Sequence, residues 1–213
     1  MPRPTAGGRS ARRDATRERV LDAAREVFAE RGVIGGTVED ICARAGFTRG
    51  AFYSNFADKQ ELLQVLIRRE QGRLLEHLTA HLAVTVEAAR SEPRDQATVV
   101  NTLVERLLAS LPWDRQLSLV WTELEIHAIR DPAATATFRE SDEEFRARLA
   151  DFIQRGADAL GRDLLADPAE VGDAAIAIVA RSVRRALQHG GDPDAMAREV
   201  LPGLFLGVSR PRG

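Results

Sequence analysis

The sequence is poor in the residues that mark several common classes of protein. Its 213 residues include one cysteine, Cys42, which excludes an intrachain disulfide and leaves too few thiolates for a typical structural zinc site. No run approaches the roughly 20 apolar residues of a membrane span, and residues 1–13 lack the apolar segment of a secretory signal. We therefore predict a cytoplasmic protein without a membrane partner.

The charge is small overall but unevenly distributed. The formal net charge is -2, yet residues 1–70 carry 13 basic and 10 acidic side chains, a balance of +3, and the remainder carries -5. Arginine supplies all but one of the 30 basic residues, and Lys59 is the only lysine. The amino-terminal region is therefore the one to examine for phosphate contacts, although many proteins with this weak bias bind no nucleic acid.

Apolar residues recur at helical spacing from residue 14 to the end, without the alternation typical of strands. We predict an all-α protein of about nine helices, with a disordered basic arm over 1–13, a three-helix domain over 14–57 and a larger helical domain over 58–213. Three helix starts have Asp-Pro, at 131–132, 167–168 and 192–193, where Asp caps the helix and Pro fits its first turn.

Two short helices meet at a glycine between residues 37 and 56. Thr37 and Asp40 match a reciprocal capping pattern, Gly46 is placed to end the first helix, and Thr48 is placed to cap the second. A helix-turn-helix requires two short helices, a tight turn and apolar inner faces, and this segment has all three. The same pattern occurs in helical hairpins that never contact DNA, so the spacing alone leaves the function open.

Two segments, TRERVLDAAREVFAERG (16–32) and TVEDICARAGFTRGAFYSNFADKQELL (37–63), resemble the amino-terminal domain of TetR-family repressors. The resemblance implies a DNA-binding helix-turn-helix, followed by a helical domain that dimerises and senses a small molecule. It also implies repression that ends when the ligand releases the protein from its operator. One position departs from the family, which commonly has histidine where this chain has Asn55.

The resemblance implies seven DNA-contacting residues: Thr37, Thr48, Arg49, Gly50, Tyr53, Asn55 and Lys59. Arg49 is expected to reach guanine O6 and N7, Tyr53 a phosphate or a thymine methyl, and Gly50 to allow close backbone approach. The other four are expected at phosphates. Both threonines could instead be ordinary caps, and Lys59 a solvated charge.

The remainder of the chain resembles the family only in its helical layout. Large or polar side chains with apolar neighbours predict a ligand pocket formed by Leu103, Leu107, Trp121, Glu125, His127, Phe145, Leu149 and Phe152. By resemblance, the last two long helices form a four-helix bundle with a second copy, with small and apolar residues at the seam: Ala174, Ala175, Ile178 and Ser182. Either set could instead belong to the protein's own core.

Other functions find less support in the sequence. It has no nucleophile elbow, phosphate-binding glycine loop or helical zinc-protease motif, so we predict neither catalysis nor a cofactor. His77 and His81 have a spacing that can hold a metal, but two histidines are a weak signal and we predict no metal site. A constitutive or architectural DNA-binding protein without a ligand is the alternative. The effector, the operator and the sign of regulation stay open.

Overall fold

The structure, a computed structural model, describes residues 6–90, 95–111, 114–130 and 132–212, without the side chains of 6–10, 88–90, 96 and 132–138. Over these residues it contains nine helices and one two-stranded antiparallel sheet, which confirms the predicted all-α class. The elements are α1 (Ala6–Gly35), α2 (Val38–Ala45), α3 (Arg49–Tyr53), α4 (Lys59–Arg90), α5 (Gln96–Ser110), α6 (Arg115–Arg130), α7 (Pro132–Ala159), β1 (Arg162–Leu164), α8 (Pro168–His189), α9 (Ala195–Gly207) and β2 (Ser209–Pro211).

The first helix begins at Ala6 and not at Asp14, so the predicted disordered arm is wrong from Ala6 onward. Residues 1–5 of that arm lie outside the described residues. The arm was predicted from its lack of an apolar face, but an existing helix can extend without a new nucleus. The segment 6–13 contains two glycines, which disfavour helix, but also alanine and arginine, which favour it, and it has no proline to prevent that extension.

The predicted caps of the helix-turn-helix are confirmed. The Thr37 hydroxyl accepts the Asp40 N–H at 3.1 Å, and Asp40 Oδ2 accepts the Thr37 N–H at 3.2 Å, which completes the capping box of α2. Gly46 ends α2 in the left-handed conformation with φ 69°. Thr48 caps α3, its hydroxyl accepting the Ala51 N–H at 3.2 Å. These contacts span three residues or fewer, so sequence alone could predict them.

The first compact unit comprises the described residues up to Arg69 together with Asp114–Ser141. Its core is formed by buried side chains of α1, α2, α3, the segment between α3 and α4, the start of α4, and α6, the largest of which include Phe28, Ile41, Phe52, Phe56, Leu62 and Leu124. Helix α6 lies against α1 and contributes Val120 and Leu124 to this core. The helix-turn-helix therefore packs with a helix that the sequence places in the other predicted domain.

The second compact unit comprises the described residues from Glu70 to Leu111 and from Asp142 onward. Within it, α9 packs against α5 and α8, and β1 pairs with β2 in the register Arg162↔Pro211. The sheet was not predicted, because three-residue strands are too short to show an alternating pattern. The buried Arg162 side chain stabilises it by donating from Nε to Ser209 Oγ at 2.8 Å.

The two compact units are divided differently from the predicted domains, whose boundary lies between residues 57 and 58. Helix α4 contributes residues to both units, and α6 returns to the first. The boundary between the DNA-binding and ligand-binding functions stays a prediction. Among the described helices, none combines the length and the apolar character that crossing a membrane requires.

Candidate DNA-binding surface and ligand cavity

The short helix α3 buries one face and presents the other to solvent. Phe52 is fully buried in the core of the first unit, where its ring packs edge-on against Tyr53 with centroids 5.3 Å apart. Thr48, Arg49 and Gly50 are exposed, and Tyr53 is 48% exposed. These four predicted DNA-contacting residues therefore lie together on the outer face of α3. We call them the α3 surface.

Arg49 is held by two neighbours on the surface. Its guanidinium lies 2.7 Å from a carboxylate oxygen of Glu39 on α2, and 5.9 Å from the centroid of the Tyr53 ring. A hydrogen bond with Tyr53, and then the charge of Glu39, raise the already high pKa of Arg49. Arg49 therefore stays cationic, and it must exchange Glu39 for any base that it binds. Because both partners of the ion pair are exposed, that exchange costs little.

Arginines of α1 hold the carboxyl ends of α2 and α3, a role that the sequence analysis missed. Arg19 donates to the Ala45 carbonyl at 3.0 Å, at the last residue of α2. Arg17 donates to the Asn55 carbonyl at 3.0 Å, just beyond α3. Cations at the carboxyl ends of helices satisfy carbonyls that have no partner within the helix. The only signal in the sequence was the weak positive balance of residues 1–70, which marks a region to examine for phosphate contacts and does not indicate helix capping.

The predicted phosphate contacts do not all lie on the exposed surface. Thr37 is exposed and Thr48 belongs to the α3 surface, whereas Asn55 is only 8% exposed. The Asn55 Nδ2 donates to the Ala51 carbonyl at 2.8 Å, and its Oδ1 has no donor among the described residues. An amide that uses its donor internally has little left for a phosphate oxygen. The structure therefore gives the predicted contact of Asn55 no support.

Lys59 also binds within the protein. Its Nζ donates to the Val33 carbonyl at 2.9 Å and to the Gly36 carbonyl at 3.0 Å, at the carboxyl end of α1. Burial lowers the pKa of the Lys59 ammonium. An ammonium has three N–H groups, so one is left for another acceptor. The contact of Lys59 with phosphate stays a prediction, but two of its three donors have a structural use.

Apolar side chains in the second unit line a cavity of about 140 Å³. The walls come from α4, α5, α7, α8 and α9, and all the lining residues are Leu, Val, Ile, Phe, Ala or Gly; they include Leu78, Leu103, Leu107, Leu149, Phe152, Gly156, Ile176 and Phe205. A cavity of comparable size, about 150 Å³, and of similar character stays dry and binds benzene in an engineered protein. This cavity is therefore suited to an apolar group.

The structure brings four of the eight predicted ligand residues together at the cavity: Leu103, Leu107, Leu149 and Phe152. Phe145 packs against the same apolar cluster but does not line the cavity. The polar members of the prediction are in the first unit. Trp121 packs against its core, Glu125 is exposed and His127 is half-buried. The prediction placed the cavity residues and the α6 residues in one pocket. Helical spacing identifies the inward face of a helix, but it does not identify which core that face meets.

The four predicted dimer residues face partly into the protein's own chain. The Ser182 hydroxyl lies 3.4 Å from the Ala197 N–H of α9, and both residues are buried. Ala175 lines the cavity, Ile178 packs against an internal cluster, and Ala174 is half-buried. Small residues at helical spacing allow close packing against any helix, including one of the same chain. The large apolar side chains that α8 and α9 do expose are Leu187 and Val200.

The two histidines of α4 stack on each other, with ring centroids 6.3 Å apart. The Nδ1 atoms of His77 and His81 lie 2.9 and 2.8 Å from the carbonyls one turn earlier, of Arg73 and His77. Within the described residues, no three or more His, Cys, Asp or Glu side chains are grouped to hold a metal. Cys42 is buried, and that burial raises the pKa of its thiol, which makes it less reactive.

Comparison with known proteins identifies the amino-terminal segment. Residues 20–66 match the family described as bacterial regulatory proteins, tetR family. The HTH-type transcriptional regulator SrpR of Pseudomonas putida is 40% identical over 84 residues, which cover 39% of this chain and 38% of SrpR. The HTH-type transcriptional regulator UidR of Escherichia coli K12 is 31% identical over 147 residues, which cover 66% of this chain and 68% of UidR.

The fold is shared with solved structures over nearly the whole chain. The transcriptional regulator FadR of Bacillus subtilis, solved in complex with stearoyl-CoA, matches with a TM-score of 0.65 and 20% identity, covering 90% of this chain and 98% of FadR. By contrast, the match to SrpR spans only about two fifths of that relative. The proteins matched by sequence are named as transcriptional regulators, not as enzymes.

Proposed function

This chain belongs to the TetR family of bacterial transcriptional regulators, and from that premise we propose that it is a repressor released from its operator by a small apolar ligand. It binds double-stranded DNA as a homodimer, acts in the cytoplasm where that DNA is, and catalyses no reaction. The observation that carries the DNA-binding proposal is the α3 surface, in which an arginine, a glycine and a tyrosine stand exposed on a helix whose other face is buried.

The α3 surface suits the major groove in both chemistry and shape. Arg49 supplies the paired donors that match guanine O6 and N7, and Tyr53 lies one helical turn away. A Cβ atom at Gly50 would meet only Thr48 Oγ, at an ordinary 3.8 Å. Packing within the chain therefore does not require glycine there, whereas close approach of a DNA backbone would. Two copies on one duplex would place two such surfaces about one turn apart, roughly 34–36 Å.

The cavity in the second unit supports an apolar ligand. A polar ligand would lose its hydrogen bonds to water and find no partner among the lining side chains, a loss of roughly 2–7 kcal/mol per group. A hydrocarbon ring or a short alkyl segment would fill the cavity at no such cost. FadR, which has the same fold, is solved with stearoyl-CoA, a ligand that carries a long alkyl chain.

For the dimer, we propose contacts through the outer faces of α8 and α9. The exposed Leu187 and Val200 provide apolar area there, whereas Ala175 and Ser182 of the predicted seam face inward. Substituting both exposed residues by Glu is expected to convert the dimer to a monomer in analytical ultracentrifugation. Leu165, equally apolar and 59% exposed but outside both helices, is the matched control position.

The DNA-binding proposal is tested with duplexes that the wild-type protein enriches from a random pool. Fluorescence anisotropy across a salt series should show tight binding to an enriched duplex, weak binding to random DNA and a steep salt dependence for both. Arg49→Ala should reduce the affinity for the enriched duplex by about ten- to a hundredfold and relax the preferred sequence. Failure to enrich any duplex would contradict the proposal.

The ligand proposal is tested separately by thermal unfolding with toluene, phenol and benzoate. Toluene should raise the Tm and lower the affinity for the enriched duplex, whereas benzoate should do neither. Gly156→Leu, whose side chain would occupy the cavity, should abolish the response to toluene while leaving DNA binding intact. A protein that binds its duplex but responds to no apolar probe would be the constitutive alternative.

A further inference from the structure

The carboxyl end of α1 is a hinge that precedes α2 directly. Gly32 has φ 74° and ψ 165°, values outside the helical region that only glycine adopts readily. The Gly36 N–H donates to the Gly32 carbonyl at 3.0 Å, which closes the segment. The next residue, Thr37, is the N-cap of α2. The conformation of residues 32–36, which we call the hinge, therefore sets the direction in which α2 begins.

Two side chains hold the backbone of the hinge from distant parts of the sequence. Glu123 Oε2 of α6 accepts the Val33 N–H at 3.3 Å, and Lys59 Nζ of α4 donates to the carbonyls of Val33 and Gly36. A Cβ atom at Gly32 would lie 2.6 Å from Glu123 Oε2. The glycine thus provides both the unusual φ angle and the space for the carboxylate.

The chemistry of Lys59 fits this use better than arginine would. Its ammonium is compact and directs separate N–H groups to two carbonyls, at 2.9 and 3.0 Å. A guanidinium is a larger planar fork that matches carboxylates and phosphates. Every other cation of the Lys and Arg type in this chain is arginine. The single lysine stands where a small donor is needed, and arginine would serve a phosphate contact at least as well.

Helix α6, which carries Glu123, is joined to α1 at its start. At the start of that helix, Arg25 of α1 donates to both carboxylate oxygens of Asp114 at 2.7 Å. Asp114 also caps α6 by accepting the Leu117 N–H at 2.7 Å. The two α1–α6 contacts advance together along the sequence, from residue 25 to 33 on the α1 side and from residue 114 to 123 on the α6 side. Helix α6 therefore lies parallel to α1 and carries Glu123 to the hinge.

We propose that Glu123 and Lys59 are positioning residues for DNA recognition, which fix the hinge and hence the orientation of α2 and the α3 surface. The proposal rests on the proposed sequence-specific DNA binding. It assigns α6, a helix outside the matched family segment at residues 20–66, to the machinery that presents the recognition helix. Neither residue needs to touch a base for this role.

The test measures the ratio of affinities for an enriched duplex and for random DNA. Glu123→Ala should lower this ratio about tenfold, because it weakens binding to the enriched duplex and not to random DNA. Because the change removes a negative charge, affinity for random DNA should stay constant or rise. Glu123→Gln keeps an acceptor for the Val33 N–H and should restore most of the ratio. Glu140→Ala, an exposed residue of the same unit, removes the same charge and should leave the ratio unchanged.

Lys59 is tested against the phosphate role that the sequence implies. Lys59→Met keeps most of the side chain and should lower the same ratio, and Lys59→Arg should fail to restore it. A pure phosphate contact predicts the opposite set of results: equal loss on both duplexes, a salt slope lower by about one, and rescue by arginine. That set of results would overturn the assignment of Lys59.

Two further outcomes distinguish an error about Glu123 from an error about the proposed function. If the ratio of affinities for Glu123→Ala stays within twofold of the wild-type ratio, Glu123 does not have the proposed role. If the wild-type protein enriches no duplex, the proposed function is wrong instead. If Glu123→Ala does not fold, Glu123→Asp keeps the charge but shortens the reach. Hydrogen exchange at the Val33 amide should then be faster than in wild type; unchanged exchange and an unchanged ratio would overturn the proposal.

Discussion

The two compact units of this protein differ in the candidate site that each carries. The first carries the exposed α3 surface, behind which Arg19 binds the end of α2 and Arg25 the start of α6. The second carries a cavity lined only by apolar side chains, although ion pairs also join its helices, such as those of Arg146 on α7 with Glu170 and Asp173 on α8. Directional contacts fix orientation, whereas apolar packing around a void leaves room for change. The first site therefore depends on orientation, and the second on unfilled apolar space.

The largest expected effect tests whether α6 belongs to the first unit. Leu124 is 2% exposed in the core of that unit, so Leu124→Ala should destabilise the protein by ~2–5 kcal/mol. Ile129 on the same helix is 85% exposed, and Ile129→Ala should change stability by less than about 0.5 kcal/mol. Urea unfolding measures both. Equal effects for the two variants would contradict the packing of α6 in the core of the first unit.

The hinge should tolerate a methyl group at one glycine and not at its neighbour. A Cβ at Gly36 would lie 2.9 Å from side-chain atoms of Phe28 and Val27, so Gly36→Ala should cost ~1–3 kcal/mol. A Cβ at Gly35 would meet only Arg31 Cβ, at 3.8 Å. The urea midpoint of unfolding of Gly35→Ala should therefore equal that of the wild type or lie slightly above it. The reverse order of the two midpoints would show that the hinge packs differently.

Beside the cavity, a glycine-to-alanine substitution should raise stability, in contrast to Gly36→Ala in the first unit. Gly156 is helical and lines the cavity, and its Cβ would meet only Leu82 Cδ1 at 3.8 Å. Gly156→Ala should stabilise the protein by ~0.5–1 kcal/mol because alanine favours helix. At Gly172 a Cβ would lie 2.9 Å from Leu149, so Gly172→Ala should destabilise. Calorimetric Tm values that fall for both variants would argue against open space beside Gly156.

The smallest expected effect concerns the surface ion pair of Arg49. Glu39→Gln removes the carboxylate that competes with DNA for Arg49, and should tighten binding to an enriched duplex. Because both side chains of this pair are exposed and screened by water, the gain should be at most about fivefold. Glu140→Gln removes the same charge elsewhere and should give a smaller gain in anisotropy titrations at the same salt. Equal gains would mean that only the net charge matters.

The sequence predicted the helix-turn-helix well because its signals are local. The Thr37–Asp40 box, the Gly46 turn and the Thr48 cap join residues at most four positions apart, and the structure confirms each of them. The prediction for the start of α9, at Asp192-Pro193, was less accurate. Asp192 accepts the Asp194 N–H at 2.9 Å, and the helix begins at Ala195. An Asp-Pro pair can form a turn as readily as a helix start.

The candidate sites were predicted only in part, because their residues are assembled from distant segments. Leu103 and Phe152 were placed correctly on inward faces by helical spacing, and they meet at the cavity. The same spacing grouped Trp121 with the cavity residues, but the inward face of α6 on which it lies meets the core of the first unit. Periodicity shows which side of a helix is buried and carries no information about the partner on that side.

By itself, the sequence determined the helical class and the caps and turns of the DNA-binding motif. Those features depend on propensities and hydrogen bonds within about one helical turn. The tertiary structure decided what Lys59 and Glu123 bind, which core α6 joins, and where apolar side chains leave a cavity. The Glu123–Val33 contact spans 90 residues, and a partner at that distance is chosen by the packing of whole helices, not by any local pattern.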